Sequence, residues 1–379
     1  MEFKVNSTEL NKVLSKLYSV INTKTPVELY LNFLVEIANG TMTIYASDVE
    51  MVLCAKFDII NTEDTNASFL ISANLFYDIV RSLKDTQITF KITEGKKATL
   101  TTPSGTYNLN ILDRDNYPLN IPNVAETDIK VTMNGKRIKE IFDNSLYVIG
   151  ESTKQSMMGL AIDFKDDGLR IVSTDGYRLV KHTLTDIKLE TPTCCVVPKK
   201  SILIATKILE DKDFDIVFDK TYITFNAGQF TLYSRLISDK FPNYDSVLPL
   251  DNELRMKISK TMLHDAVKRM LIFANYSDNK KVLFTFDIDN VEVSAIDVNN
   301  SFSAQENIPC KYNGLRLEIG FNCIHLNDML THISSDDELI FKIKEATKPI
   351  LVSLSQNKPN EDLLVLIMPM RLNKKNDNY

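Results

Sequence analysis

The chain is 379 residues long, 44% hydrophobic and 25% charged, with a formal net charge of −6 at pH 7. At roughly 150 residues per domain this length holds two or three domains, no apolar run approaches the ~18 residues of a membrane helix, and a net acidic balance taken alone argues against nucleic acid. Five cysteines without a CxxC spacing and four histidines without an HExxH argue against a disulfide framework and a zinc site, and the 11 glycines form neither GxGxxG nor GxxxxGKS/T. The expectation is a soluble protein with buried free thiols, no metal and no cofactor. Its N-terminus, MEFKVNSTEL, alternates like a strand without a secretion-signal pattern and points to the cytoplasm.

In chain order, residues 2 to 5 read as a strand. Thr8 to Ile21 reads as a helix with Leu10, Val13, Leu14, Leu17 and Ile21 on one face and Lys12 and Lys16 on the other. Strand-like alternation runs through YASDVEMVLC, a second helix covers Ala73 to Lys84, and a strand covers Ile88 to Ile92. A hairpin ending at Leu112 and the turn Asn116-Tyr117-Pro118 close the first third. The same order then returns twice. Asp48, Asp175 and Asp297 lie 127 and 122 residues apart; Phe90, Phe218 and Phe341 lie 128 and 123 apart; Tyr117-Pro118 stands 124 before Phe241-Pro242. ELNKVLSKLYSVI, KRIKEIFDNSLYVI and MLHDAVKRMLIFA open the three units as helices, and ANLFYDIVRSLK, PKKSILIATKILED and CIHLNDMLTHI stand in their middles. Landmarks that keep one order and one spacing imply three homologous domains, 1–125, 126–249 and 250–379. Each is α+β, with two helices packed on antiparallel sheet.

Within the middle unit, STDGYRL at 173 to 179 follows the apolar run Leu169 to Val172, and its Asp-Gly pair predicts a tight hairpin turn. Charge is divided unevenly between the helices and everything else. Lys12, Lys16, Arg81, Lys84, Lys136, Arg137, Lys139, Lys199, Lys200, Lys207, Lys260, Lys268 and Arg269 stand against eight acids in the six helices, a balance of +5 that leaves −11 elsewhere. Mildly basic helices on an otherwise acidic surface can hold a polyanion on the helix side alone, by phosphate charge and without sequence preference. On the fifth helix, Ile272 falls opposite the stripe of Leu263, Ala266, Val267, Met270, Leu271 and Ala274, and Phe273 lies at its edge, which suggests a subunit contact.

STDGYRL, KFPNYDSVLP at 240 to 249 and LIMPMRL at 366 to 372, together with ASDVEM, ISANLFYDIVRSL and SGTYNLNILDRDNYP in the first third, resemble the bacterial DNA sliding clamps, the beta subunits of DNA polymerase III. The resemblance runs over essentially the full length. It implies a non-catalytic processivity factor: a head-to-tail homodimeric ring of three-domain subunits, with helices lining a hole for double-stranded DNA and sheets outside. The implied partners are that DNA, a second copy, the replicative polymerase, the clamp loader and other proteins carrying short clamp-binding motifs, with no membrane and no cofactor.

Carried over by motif, a partner-peptide pocket would use Thr174, Gly176, Tyr177, Arg178 and Leu179, with Lys154 and Met157 beside them. Pro242 and Val247 would follow, then Leu366, Ile367, Met368, Pro369, Met370, Arg371 and Leu372, with Asn322 and His325 at the edge. The resemblance makes Lys12, Lys16, Lys24, Arg81, Lys136, Arg137, Lys139, Lys199, Lys200, Lys207 and Lys268 the DNA-facing candidates. It pairs Tyr107 and Leu109 of one subunit with Ile272 and Phe273 of the other. The sequence departs from the family pattern at Tyr177, where histidine is common, at Lys154, where arginine is common, and at Asp245-Ser246, where a basic pair is frequent. It also continues past Leu372 through NKKNDNY. Two other classes stay open on residues alone. One is a metal-dependent nuclease, on the acidic run Ser335 to Glu338 and Asp362; the other is a repeat-built scaffold that binds proteins but not DNA.

Overall fold

The computed structural model describes residues 1–61, 66–93, 97–115, 117–122, 128–150, 154–249, 251–277, 279–297, 302–334 and 338–372, with Asn61 and Asp297 described by backbone alone. The boundary stretch 123–127, residues Ser335 to Asp337 with the two aspartates of the acidic run, and the tail 373–379 lie outside the described residues.

The first repeat runs β1 (Glu2–Asn6), α1 (Ser7–Tyr18), β2 (Asn32–Ala38), β3 (Thr41–Ser47), β4 (Met51–Asp58), β5 (Ile60–Asn61), β6 (Ala67–Ser72), α2 (Ala73–Ser82), β7 (Gln87–Thr93), β8 (Lys97–Thr102) and β9 (Gly105–Asp113). The second runs β10 (Ile129–Asn134), α3 (Gly135–Leu146), β11 (Gly159–Lys165), β12 (Gly168–Thr174), β13 (Arg178–Leu184), β14 (Thr193–Pro198), α4 (Lys199–Ile208), β15 (Asp213–Phe218), β16 (Tyr222–Ala227) and β17 (Phe230–Arg235). The third runs β18 (Leu254–Ser259), α5 (Lys260–Ala274), β19 (Lys281–Phe286), β20 (Asn290–Asp297), β21 (Phe302–Tyr312), β22 (Leu317–Asn322), α6 (Cys323–His332), β23 (Glu338–Ile343), β24 (Ile350–Leu354) and β25 (Glu361–Ile367). Strand, helix, strands, helix, strands thus recurs three times, as the spacing of Asp48, Asp175 and Asp297 implies.

Local chemistry sets the helix ends. Asn6 caps α1 by accepting from the backbone N–H of Thr8 (2.8 Å) and Glu9 (3.2 Å), and Leu10, Val13, Leu14 and Leu17 bury its apolar stripe. The helices are shorter than their patterns suggested. α1 stops at Tyr18 and leaves Ile21 outside; α2 stops at Ser82, before an extended Leu83, and leaves out Lys84; α4 stops at Ile208 and leaves out Glu210 and Asp211. Within the observed bounds the helices hold twelve Lys and Arg against six Asp and Glu. Their balance is therefore +6, and the remainder of the −6 chain carries −12.

The strands form two continuous antiparallel sheets, one in each of two compact units. Residues 1–139 with 200–236 carry thirteen strands in the order β10-β15-β16-β17-β4-β3-β2-β6-β9-β8-β7-β1-β5. Residues 140–199 with 237–379 carry twelve in the order β14-β11-β12-β13-β25-β24-β23-β18-β21-β20-β19-β22. Each sheet joins two repeats by one rule: the last strand of a repeat pairs with the third strand after the opening helix of the repeat before it. β17 lies on β4, with Ser234 opposite Met51, and β25 lies on β13, with Ile367 opposite Arg178. Packing beneath the sheets is aromatic. Phe3 and Phe90 stack at 4.8 Å with Phe76 edge-on in the first unit, and Phe284, Phe286, Phe321 and Phe341 are fully buried in the second.

All five cysteines are free, and Cys195, Cys310 and Cys323 are buried. The expectation of buried thiols fails for Cys194, which is exposed, and in part for Cys54, which is half-buried. Adjacent strand residues point to opposite faces, so burial of Cys195 turns Cys194 outward.

Candidate functional site

In the second unit, β12 and β13 are joined by the turn that STDGYRL predicts. Asp175 Oδ1 accepts from the backbone N–H of Tyr177 and Arg178, both at 2.9 Å, and Thr174 Oγ1 accepts from Gly176 N–H at 3.1 Å. Gly176 has φ +89°, a conformation that a side chain resists, and Met157 Cε lies 3.5 Å from where a Cβ on it would stand. Asp48 makes the same turn in the first unit, accepting from Glu50 and Met51 N–H at 2.8 Å. The repeated aspartate is therefore a turn residue in both copies. They differ in the cation that takes the second carboxylate oxygen: Lys200 for Asp48, and Arg178 of the same turn for Asp175, at 2.9 Å.

The three stretches singled out in the sequence converge on this hairpin. Leu179 pairs with Leu366, and Met368 N–H donates to the Tyr177 carbonyl at 2.9 Å. Met370 N–H reaches the Gly320 carbonyl at 2.8 Å, which draws 368 to 372 toward β22 and α6. Leu179 and Leu366 share a buried cluster with Phe241 and Tyr244, and Tyr244 donates to the buried Asp163 at 2.5 Å. That anchoring turns Val247 outward while Pro242 stays half-buried. Asn322 caps α6 by accepting from Ile324 and His325 N–H, and the His325 ring lies 6.4 Å from that of Tyr177. The surface so formed exposes Lys154, Tyr177, Val247, Met368 and Arg371. Leu179, Leu366 and Ile367 lie buried beneath it as strand core.

Sequence reasoning missed the residues that hold Arg178. Its side chain is only 11% exposed; besides Asp175 it donates from Nη1 to Asp328 on α6 at 2.9 Å, and its guanidinium lies 5.4 Å from the centre of the Tyr147 ring. Burial opposes the charge, yet the two carboxylates outweigh it and raise the Arg178 pKa. Burial, and then the charge of Arg178, lower the pKa of His325. Asp175 was legible from its i to i+3 spacing; Asp328, 150 residues away, left no sequence signal. Asp245, on the rim, is bound by Arg170 at 3.2 Å.

Models of the DNA polymerase III beta subunit match the chain as its N-terminal domain over residues 1–122, its central domain over 130–243 and its C-terminal domain over 245–371. The chain belongs to the DNA polymerase III beta subunit family. A beta sliding clamp of Chlamydia muridarum is 24% identical over 377 residues, spanning 98% of this chain and 99% of that one. The crystal structure of the DNA polymerase III beta subunit from Pseudomonas aeruginosa superposes with a TM-score of 0.90 at 23% identity, covering 98% and 100% of the two chains. A sliding clamp from Bartonella birtlesii, crystallised bound to griselimycin, gives 0.87 at 26% identity over the same shares. Beta sliding clamps are non-catalytic processivity factors of DNA polymerase III.

The basic positions of this sliding clamp differ in how tightly they are held. Lys200 is tied to Asp48 and to the Val20 carbonyl, Lys199 to the Ile149 carbonyl, Lys16 to Glu210 at 3.4 Å and Lys136 to Asp211 at 3.6 Å. Arg81 pairs with Asp78 at 3.1 Å and Lys268 with Asp265 at 3.9 Å. Lys12, Lys24 and Lys207 are exposed and have no ion-pair partner among the described residues; Arg137 and Lys139 have contacts of their own. Of the subunit-contact candidates, Ile272 is 59% exposed, Phe273 and Tyr107 are half-buried and Leu109 is buried. Tyr276, Ile296 and Phe302 are exposed too, and the rings of Tyr276 and Phe302 meet at 5.8 Å. Among the described residues no His, Cys, Asp and Glu group is placed to hold a metal ion, and no helix is long and apolar enough to cross a membrane.

Proposed function

We propose that this chain acts as a cytoplasmic, head-to-tail homodimeric ring of domains 1–125, 126–249 and 250–379. It encircles double-stranded DNA without reading its sequence and tethers the replicative polymerase, the clamp loader and other partners through the surface around Tyr177, Met368 and Met370. One observation carries this reading. The rule that seats β17 on β4 and β25 on β13 has one unused donor and one unused acceptor edge per chain. Among the described residues, 105–110 of β9 pair only with β8, and 302–309 of β21 pair only with β20. Applying the rule once more seats β9 of one chain on β21 of another, and two chains of three repeats close. The exposed Ile272, Tyr276 and Phe302 then find cover, as expected for an interface core.

Lys12, Lys24 and Lys207 supply mobile, non-specific phosphate contacts, with the tied basic residues adding a weaker positive field. We extend the reading to griselimycin, the ligand named for the Bartonella relative, as a ligand of this same surface. The test of the ring is topological. Loaded on circular duplex and then cut free by a restriction enzyme, the protein is expected to leave the linear product and to stay on the uncut circle. Equal retention on both forms would falsify encirclement.

A further inference from the structure

We propose that Asp328 is a positioning residue for ligand binding at this surface, acting through Arg178 without touching the ligand. The inference rests on the pocket reading above. Arg178 has five N–H groups in a fixed fork. Nε is held by Asp175 and Nη1 by Asp328, each at 2.9 Å, and among the described residues Nη2 has no hydrogen-bond partner. Asp175 cannot turn the guanidinium by itself, because its Oδ1 is committed to closing the hairpin on Tyr177 and Arg178 N–H. The second fixed point comes from α6, where the Asp328 carbonyl also receives His332, whose ring stacks on Tyr147 at 4.5 Å. Tyr147 in turn lies below the guanidinium. The fork is thus clamped at two nitrogens and from below, and Nη2 is the nitrogen left for a ligand.

The charge of the cluster says what Nη2 receives. Two carboxylates surround one guanidinium, so the group carries a net negative charge and disfavours a carboxylate ligand. A neutral carbonyl, such as a peptide backbone offers, gains the hydrogen bond without that repulsion. Asp328 thereby fixes both the direction of the donor and the class of acceptor.

A double-mutant cycle on griselimycin binding, read by calorimetry on the full chain, tests this. Asp328→Ala is expected to raise Kd by about tenfold, the cost of releasing one charged hydrogen bond. In an Arg178→Ala background the same substitution is expected to change Kd by less than about twofold, because the group it positions is gone. Asp328→Asn, which keeps an acceptor of the same shape, guards against misfolding of the alanine variant, as does a melting curve for each protein. It is expected to retain most of the affinity. An unchanged Kd for Asp328→Ala, or losses that multiply in the double variant, overturns the positioning role. Met368→Lys separates the two readings: if it too leaves griselimycin binding intact, the pocket assignment itself is at fault.

Discussion

His182 is a single residue whose burial has a measurable consequence. It lies on β13 between Ile171 and Leu363, is buried, and its Nε2 has no hydrogen-bond partner among the described residues. It lines a cleft of about 320 Å³ together with Glu140, Lys358, Glu361 and Asp362, and Lys358 is paired with Glu140 at 2.8 Å. Burial first, then the charge of Lys358, push its pKa down to about 4. An unfolded histidine titrates near 6.5. Between those values the unfolded chain binds a proton that the folded chain refuses, so stability rises with pH through this window and is lost as pH falls. The full span is worth about 3 kcal/mol. Urea unfolding at pH 7.5 and pH 5 is expected to show a loss of stability that His182→Leu largely removes. Parallel losses in the two proteins would show that the acid sensitivity lies elsewhere, for instance at His264 or His325, whose pKa values are also lowered.

At the scale of elements, the strand-pairing rule predicts the register of a contact between two chains. Met51 opposite Ser234 and Arg178 opposite Ile367 are equivalent pairs, each three residues after a turn aspartate. Phe302, which pairs with Asp297, takes the corresponding place in the third repeat. On the other strand, Ile367 lies three residues before Met370, which bridges to Gly320; Leu109 lies three before Leu112, which pairs with Leu70. Leu109 should therefore face Phe302 of a second chain, and Tyr107 should face Ala304. Donation from Met368 N–H to the Tyr177 carbonyl makes Arg178 and Ile367 a non-hydrogen-bonded pair. The equivalent pairs then have Cα atoms about 4.5 Å apart, within disulfide range. Tyr107→Cys with Ala304→Cys in one chain is expected to oxidise to a covalent dimer on a denaturing gel, whereas Tyr107→Cys with Ser303→Cys stays monomeric. The reverse pattern means a slipped register. Much of this was legible in the sequence, because the repeat spacing and STDGYRL are local signals carried by contiguous residues. The burial of Leu109 and Ile367 was not, since it depends on which edge each strand meets, and neither was the hold of Asp328 on Arg178, since it crosses between repeats.

For the whole molecule the decisive quantity is where charge sits and how tightly it is held. The helices carry +6 and everything else −12, yet most of the helical cations are already paired or hydrogen-bonded within the protein. Such pairs are weak where exposed, so a phosphate can displace a carboxylate, but each exchange returns little net energy. A protein that must move along DNA benefits from that weakness: a shallow, register-free attraction retains no preferred position, and topology supplies persistence. Lys12 on α1 and Lys207 on α4, with Lys24 beyond the end of α1, are exposed without an ion-pair partner among the described residues. Replacing all three by alanine is expected to weaken association with open linear duplex at low salt. The slope of log K against log salt should become shallower by up to about 0.9 for each lysine that had met a phosphate. The same protein, once loaded on a closed circle, is expected to persist there as long as the unmodified chain does, because charge governs approach and closure governs retention. An unchanged salt slope would move the DNA contact to the paired residues Lys16, Lys136 and Lys200, and rapid loss from the closed circle would make charge, and not closure, the source of persistence.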